Sequence, residues 1–270
     1  MKTIRLAGAL SVALLTLGSL AGCAAVYPEI GTKTRKLSSD VALDPPPPDD
    51  LRWIKFLSAR VPAKTRDGRS WSQAVGKLPD PYAKLLINDE EVLRTDPQSE
   101  TLEPTWPGGP RGNFRVTPAD KLRVEVWDSN AISDAPIGVR DFRATEDVVL
   151  GDRIRLDLPG GGEVVLAFER AHAMFGLGMW FELRTDQAFV TRMLEGSPAE
   201  RSGVLPGDEI VEIRGKKVKA MSGDEVRSQL GAIPMEGLPV TLRHEDGSLL
   251  QVTLKEGPIY PPFSQFGVVD

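Results

Sequence analysis

The chain has 270 residues, 41% of them apolar, with 33 Lys and Arg against 38 Asp and Glu and a formal net charge of −5. That length suits two domains better than one, and the apolar share excludes a fully disordered chain. The charge balance leaves no electrostatic footprint for nucleic acid or for anionic lipid. One cysteine, Cys23, excludes an internal disulfide and a multi-cysteine metal site, and two histidines, His172 and His244, leave little room for a multi-histidine zinc site.

Lys2 and Arg5 precede an apolar run from Leu6 to Leu20. It is shorter than the roughly 20 residues a membrane span needs, and it is rich in small residues. It ends Leu20-Ala21-Gly22-Cys23, which resembles a bacterial lipobox. The resemblance implies a signal peptide over 1–22 and a lipidated Cys23 as the new N-terminus, held to the membrane by acyl chains. Ala24 rather than Asp follows, so the expected place is the outer membrane, facing the periplasm. Cleavage deletes two positive charges and no negative ones, taking −5 to −7. Residues 23–50 lack apolar periodicity and end in Asp44-Pro45-Pro46-Pro47-Pro48-Asp49-Asp50, which predicts an extended tether.

From Leu51 the pattern changes. Trp53, Phe56 and Leu57 open an apolar segment, followed by runs over 82–87, 91–95, 113–117, 121–128 and 138–142. Leu122, Val124 and Val126 alternate with Arg123, Glu125 and Trp127, a strand with one buried face. Turn clusters such as Pro107-Gly108-Gly109-Pro110 separate the runs, and the spacing predicts an antiparallel sandwich over 51–162. Pro79-Asp80-Pro81-Tyr82-Ala83-Lys84-Leu85, Val92-Leu93-Arg94-Thr95, Thr101 to Trp106, Leu122 to Asp128 and Pro136-Ile137-Gly138 together resemble a C2 domain, a calcium- and phospholipid-binding module. By that resemblance Asp80, Asp128 and Asp134, with Asn130, are the candidate calcium ligands on loops at one end of the sandwich. Ser72 and Asp67 are outside candidates. The set is depleted, which implies weak affinity; the same acids also suit turns that accept backbone N–H bonds.

Glu163 to Glu169 either closes the sandwich or opens the next domain. Phe175-Gly176-Leu177-Gly178-Met179-Trp180-Phe181 follows, and then Glu195-Gly196-Ser197-Pro198 through Leu205-Pro206-Gly207-Asp208-Glu209-Ile210. Ser222-Gly223-Asp224-Glu225 reads as a capping box opening a helix to about Leu230, and a last hairpin turns at Asp246-Gly247. These blocks resemble a PDZ domain, placed at 163–258 with a tail over 259–270. The resemblance implies an extended peptide added as a strand beside residues 179–181, its terminal carboxylate held by the amides of Leu177, Gly178 and Met179. Gly176 and Gly178 shape that loop. Met179, Phe181 and Leu230, with Leu177, are the expected pocket for the last side chain. Arg227, Arg170 and His172 are weaker candidates for ligand contacts. The chain's own Gly267 to Asp270 and a groove filled by other parts of the chain are the alternatives to a foreign peptide.

A protease of the kind that carries such a domain needs a further unit of roughly 150–200 residues with Ser, His and Asp or Ser and Lys. The two resemblances already use 51–256, so no enzyme is expected. Gly160-Gly161-Gly162 reads as a hairpin turn, since no Gly-Lys-Ser/Thr follows. The expected fold is mainly β: an antiparallel sandwich, then a small barrel-like domain with two short helices. The expected function is a membrane-anchored envelope adaptor binding a C-terminal or extended peptide. The alternative is a calcium-responsive docking protein acting through the sandwich.

Overall fold

Alternating apolar residues build most of the strands. In the computed structural model, which describes residues 29–36, 43–71, 77–144 and 153–262, β7 (Lys121–Asp128) buries Leu122, Val124 and Val126 completely. It pairs with β4 (Pro81–Ile87) on one side and β8 (Ala135–Arg143) on the other, and β5 (Glu90–Arg94) completes the sheet on β4. The facing sheet runs β6 (Arg111–Arg115), β3 (Leu51–Arg60), β10 (Glu163–Arg170) and β9 (Arg153–Asp157). Their inward residues form one core, with Phe56 meeting Trp106 edge to face at 6.1 Å between centroids.

β10 pairs with β3 along its whole length and with β9, so it closes the sandwich. The sandwich therefore runs to Arg170 and the second unit starts near Met174, not at 163. The three glycines 160–162 all take positive φ and turn β9 into β10, in line with the hairpin turn expected there. A Cβ on Gly162 would lie 2.4 Å from the Arg60 carbonyl oxygen, so only glycine fits there.

The second unit is an open sheet in the order β1 (Ile30–Gly31), β12 (Met179–Arg184), β13 (Gln187–Met193), β14 (Glu209–Ile213), β16 (Leu238–Arg243) and β17 (Leu249–Leu254), with β15 (Lys216–Lys217) on β14. It does not close into a barrel. A small sheet of β18 (Gly257–Ile259), β11 (Met174–Gly176) and β2 (Arg35–Lys36) flanks it. Helix α1 (Pro198–Arg201) has Ser197 as N-cap and Pro at its first position. Helix α2 (Gly223–Gly231) starts at the expected cap: the Ser222 hydroxyl accepts the Glu225 N–H, while the Glu225 side chain turns to Lys216. Val226 and Leu230 bury α2 against the second core.

Two expected boundaries shift. The tether is not a spacer throughout, because residues 30–31 and 35–36 are strands of the second unit. The tail expected from 259 begins inside the fold, with Ile259 buried in β18 and the Tyr260 hydroxyl donating to the Pro45 carbonyl at 2.8 Å. Cys23, residues 1–22, Ser72 and Gly267 to Asp270 lie outside the described residues.

Candidate functional site

The loop Leu177-Gly178 joins β11 to β12 and sets the end of a groove between β12 and α2. Gly178 takes φ +68°, and a Cβ there would lie 2.6 Å from the Ser197 Cβ, so the loop's turn depends on glycine. Leu177, Met179, Phe181 and Leu230 are each no more than 1% exposed. They share one core with Val226 of α2, and Ile30 packs onto it.

Ile30 belongs to a segment of the same chain that lies along β12. Ile30 pairs with Phe181 and Gly31 with Trp180, antiparallel. The Thr32 N–H donates to the Met179 carbonyl at 2.9 Å, and its hydroxyl donates to the same oxygen at 2.9 Å. The Thr32 hydroxyl also stands 3.4 Å from the Met179 N–H, one of the three amides expected to hold a carboxylate. A Cβ on Gly31 would meet the Trp180 ring at 3.0 Å, so glycine lets the strand lie flat there. The Lys33 carbonyl passes close to Gly176, and the chain then continues as β2 beside β11. Both ends are clamped. Glu29 pairs with Arg192 at 2.8 Å and accepts the Thr191 hydroxyl at 2.5 Å; Arg35 pairs with Glu256 at 2.8 Å and lies over Phe175.

The occupied edge strand, the glycine loop and the flanking helix carry a recognisable pattern. Residues 168–242 match the PDZ domain family and residues 56–156 the C2 domain family. The chain joins a C2 domain to a PDZ domain. A probable CtpA-like serine protease of Staphylococcus aureus is 38% identical over 73 residues, which is 27% of this chain and 14% of that protein. The carboxy-terminal processing protease CtpA of Bacillus subtilis is 36% identical over 50 residues, 18% of this chain and 11% of that protein. Both likenesses are confined to the PDZ domain. The chain thus spans about a seventh or less of the length of these relatives. Among solved structures, one titled "Structure of a C2 domain" covers 44% of this chain and 97% of that chain at 17% identity and TM-score 0.34. A structure of two C2 domains of Extended-Synaptotagmin 2 covers 87% of this chain and 86% of that chain at 15% identity and TM-score 0.37.

The edge of β12 is occupied by residues 30–32 of the same chain, which run on past the loop; this is the alternative to a foreign peptide that the sequence left open. Leu177, Met179, Phe181 and Leu230 are core side chains first. Arg227 pairs with Asp224 at 2.8 Å. Arg170 and His172 lie away from the groove, at the junction with the C2 domain, where His172 stacks on Trp53 with centroids 4.1 Å apart.

At the acidic end of the C2 domain the expected ligands are neighbours, and their carboxylates accept hydrogen bonds from the protein, with Asp80 also 3.6 Å from the Lys77 ammonium. Asp128 is 1% exposed and accepts the Asp80 N–H at 2.7 Å and the Asn130 side-chain amide at 3.1 Å. Asp80 accepts the Glu100 N–H at 2.7 Å. Asp134 accepts the Asn130 N–H at 3.0 Å and the Tyr82 hydroxyl at 2.7 Å. Those two bonds, the Asn130 one first, hold the Asp134 carboxyl below its usual range. Burial, and then the bond to Asp134, pushes the Tyr82 phenol up to about 12. Among the described residues no group of three or more His, Cys, Asp or Glu is placed to hold a metal. In this arrangement the carboxylates expected to share calcium tie two loops together by accepting N–H and O–H bonds.

Proposed function

We propose that this protein is a membrane-anchored envelope adaptor whose PDZ domain takes an extended peptide segment by strand addition to β12, in competition with its own residues 29–36. The observation that carries the reading is the backbone pairing of Ile30 to Thr32 along β12. It supports a ligand that is an internal extended segment, with a hydroxyl residue where a terminal carboxylate would stand and an apolar residue two positions earlier. Lipidation at Cys23, six residues before Glu29, would put the bilayer directly upstream of the self-ligand. A docked self-segment taxes a partner: if it is docked about 99% of the time, the partner's apparent affinity falls about 100-fold. The comparison with CtpA-like proteases concerns the PDZ domain alone, and the adaptor reading assigns no catalytic role to this chain. Calcium-responsive docking through the C2 domain is the weaker reading, because its candidate carboxylates are already hydrogen-bonded.

The test is a labelled peptide of residues 29–36 added to the protein and to its Gly31→Val variant, with binding read by fluorescence polarisation. Valine would press on the Trp180 ring and weaken the self-ligand without touching the groove-forming loop. The variant is expected to bind the peptide at least tenfold more tightly than the wild type. Equal affinity in both proteins, or no binding to either, would overturn the reading. An amidated peptide is expected to bind as well as the free acid.

A further inference from the structure

The pairing of β3 with β10 sets Arg52 opposite Arg170, two guanidinium groups brought together only by strand register. Arg153, at the start of β9, joins them, and the three line a cavity of about 640 Å³ with His172, Asp49 and Glu169. None of the three arginines forms an ion pair with a carboxylate among the described residues, and Glu169 is engaged by His172 at 3.1 Å.

Arg52 is the unusual member. It is 8% exposed, its Nε–H makes no hydrogen bond, and its Nη1 donates to its neighbour Leu51's carbonyl at 2.8 Å. Burial lowers its pKa; the charge of Asp49 opposes that shift, the like charge of Arg170 adds to it, and the charge of Asp50 opposes it in turn. A buried guanidinium beside a second one is costly unless a countercharge is near. Three arginines lining one cavity supply the kind of donors a phosphate group uses, since it accepts several N–H bonds at once. The volume exceeds that of a bare phosphate and leaves room for what the phosphate is attached to.

The cavity is separate from the acidic end. The Val61 N–H bonds to Leu102 and the Thr101 N–H to Pro79, so Asp80 lies near the far end of β3 from Arg52. It is also separate from the groove, since its floor is the end of the sandwich and its walls are the tether at Pro47 and Pro48 and the connector at Ala171 and His172.

We propose that this cavity is a binding site for a phosphate-bearing anion, held by Arg52, Arg153 and Arg170 at the junction of the two domains. The full protein in zwitterionic detergent micelles is titrated with inorganic phosphate, and separately with phosphatidylglycerol added to the micelles. Sodium chloride of equal ionic strength serves as reference. Calorimetry and the melting temperature are read. A ligand that binds the folded state raises the melting temperature by mass action. Saturable binding of either probe is expected, weakened at least tenfold in the Arg153→Gln/Arg170→Gln double variant and unchanged in Lys219→Gln. Both substituted arginines are exposed, so the double variant keeps its fold. Binding of phosphate alone assigns the site to a soluble ligand, and binding of phosphatidylglycerol alone assigns it to a lipid headgroup. No saturable binding of either probe, or equal binding by the double variant, would overturn the proposal.

Discussion

Tyr82 and Asp134 show how far a residue's chemistry depends on the partner the fold gives it. The sequence places both at the acidic end of the sandwich, but not the hydrogen bond between them. Because the folded Tyr82 pKa is raised to about 12, folding favours the neutral phenol. Its contribution to stability is complete below the ordinary tyrosine range near 10 and is lost as pH rises through about 12. An alkaline titration followed by phenolate absorbance is expected to show a late-ionising phenol that Tyr82→Phe removes; an unchanged titration in that variant would refute the assignment. Asp134 has the opposite sign, its stabilising effect present above the usual carboxylate pKa and fading as pH falls through its depressed value. Asp128 is the structural member of the group. Asp128→Ala leaves the Asp80 N–H without its acceptor, takes one of two acceptors from the Asn130 amide, and is expected to cost about 1–3 kcal/mol in urea unfolding. Millimolar calcium is expected to leave the wild-type melting temperature unchanged; a clear rise would restore the calcium reading.

At the scale of elements, legibility follows the source of each strand's stability. β7 announces itself, because Leu122, Val124 and Val126 fill one face of a central strand. Helix α2 does so through its Ser222 cap and its Val226 and Leu230 spacing. β1 and β2 do not. Ile30 to Lys36 is mostly polar, with no period, and its strand character comes wholly from the edges of β12 and β11. An edge strand offers a row of unpaired amides and carbonyls to any extended chain, so the nearest available segment can take it whatever its propensity. β10 is ambiguous in sequence because its central residues, Leu166 to Phe168, are buried in succession, the pattern of a central strand in either domain. Only its register with β3 assigns it to the sandwich. The same register creates the arginine cluster, which no sequence window could contain. Leu230 shows the reverse case: it is legible in the sequence, but its complete burial makes it a poor test of binding, since even Leu230→Ala is a core truncation.

The whole molecule is joined by polar contacts as well as by chain connectivity. Asn113 of β6 is fully buried where the C2 sheet, the connector and the C-terminal strand region meet. Its side-chain amide donates to the His172 carbonyl at 2.9 Å and the Pro261 carbonyl at 3.1 Å, and its oxygen accepts the His172 N–H at 2.8 Å. Two residues along, Arg115 pairs with Asp50 and, at 2.5 Å, with Glu195 of the PDZ domain. That exposed pair contributes little by itself. Asn113 matters more, because truncating it strands two carbonyls and one N–H in a buried place, each lost partner being worth on the order of 1 kcal/mol or more. Asn113→Ala is therefore expected to destabilise the protein by at least about 2 kcal/mol and to split its thermal unfolding. In scanning calorimetry the wild type should unfold with the two domains coupled in one transition, and the variant should show two. The junction also holds the arginine cavity and carries Pro45 against Tyr260, so loosening it should mobilise the tether that leads back to the self-ligand. A single, merely shifted transition in Asn113→Ala would mean that the domains are coupled elsewhere. Two transitions already present in the wild type would mean that they are not coupled at all.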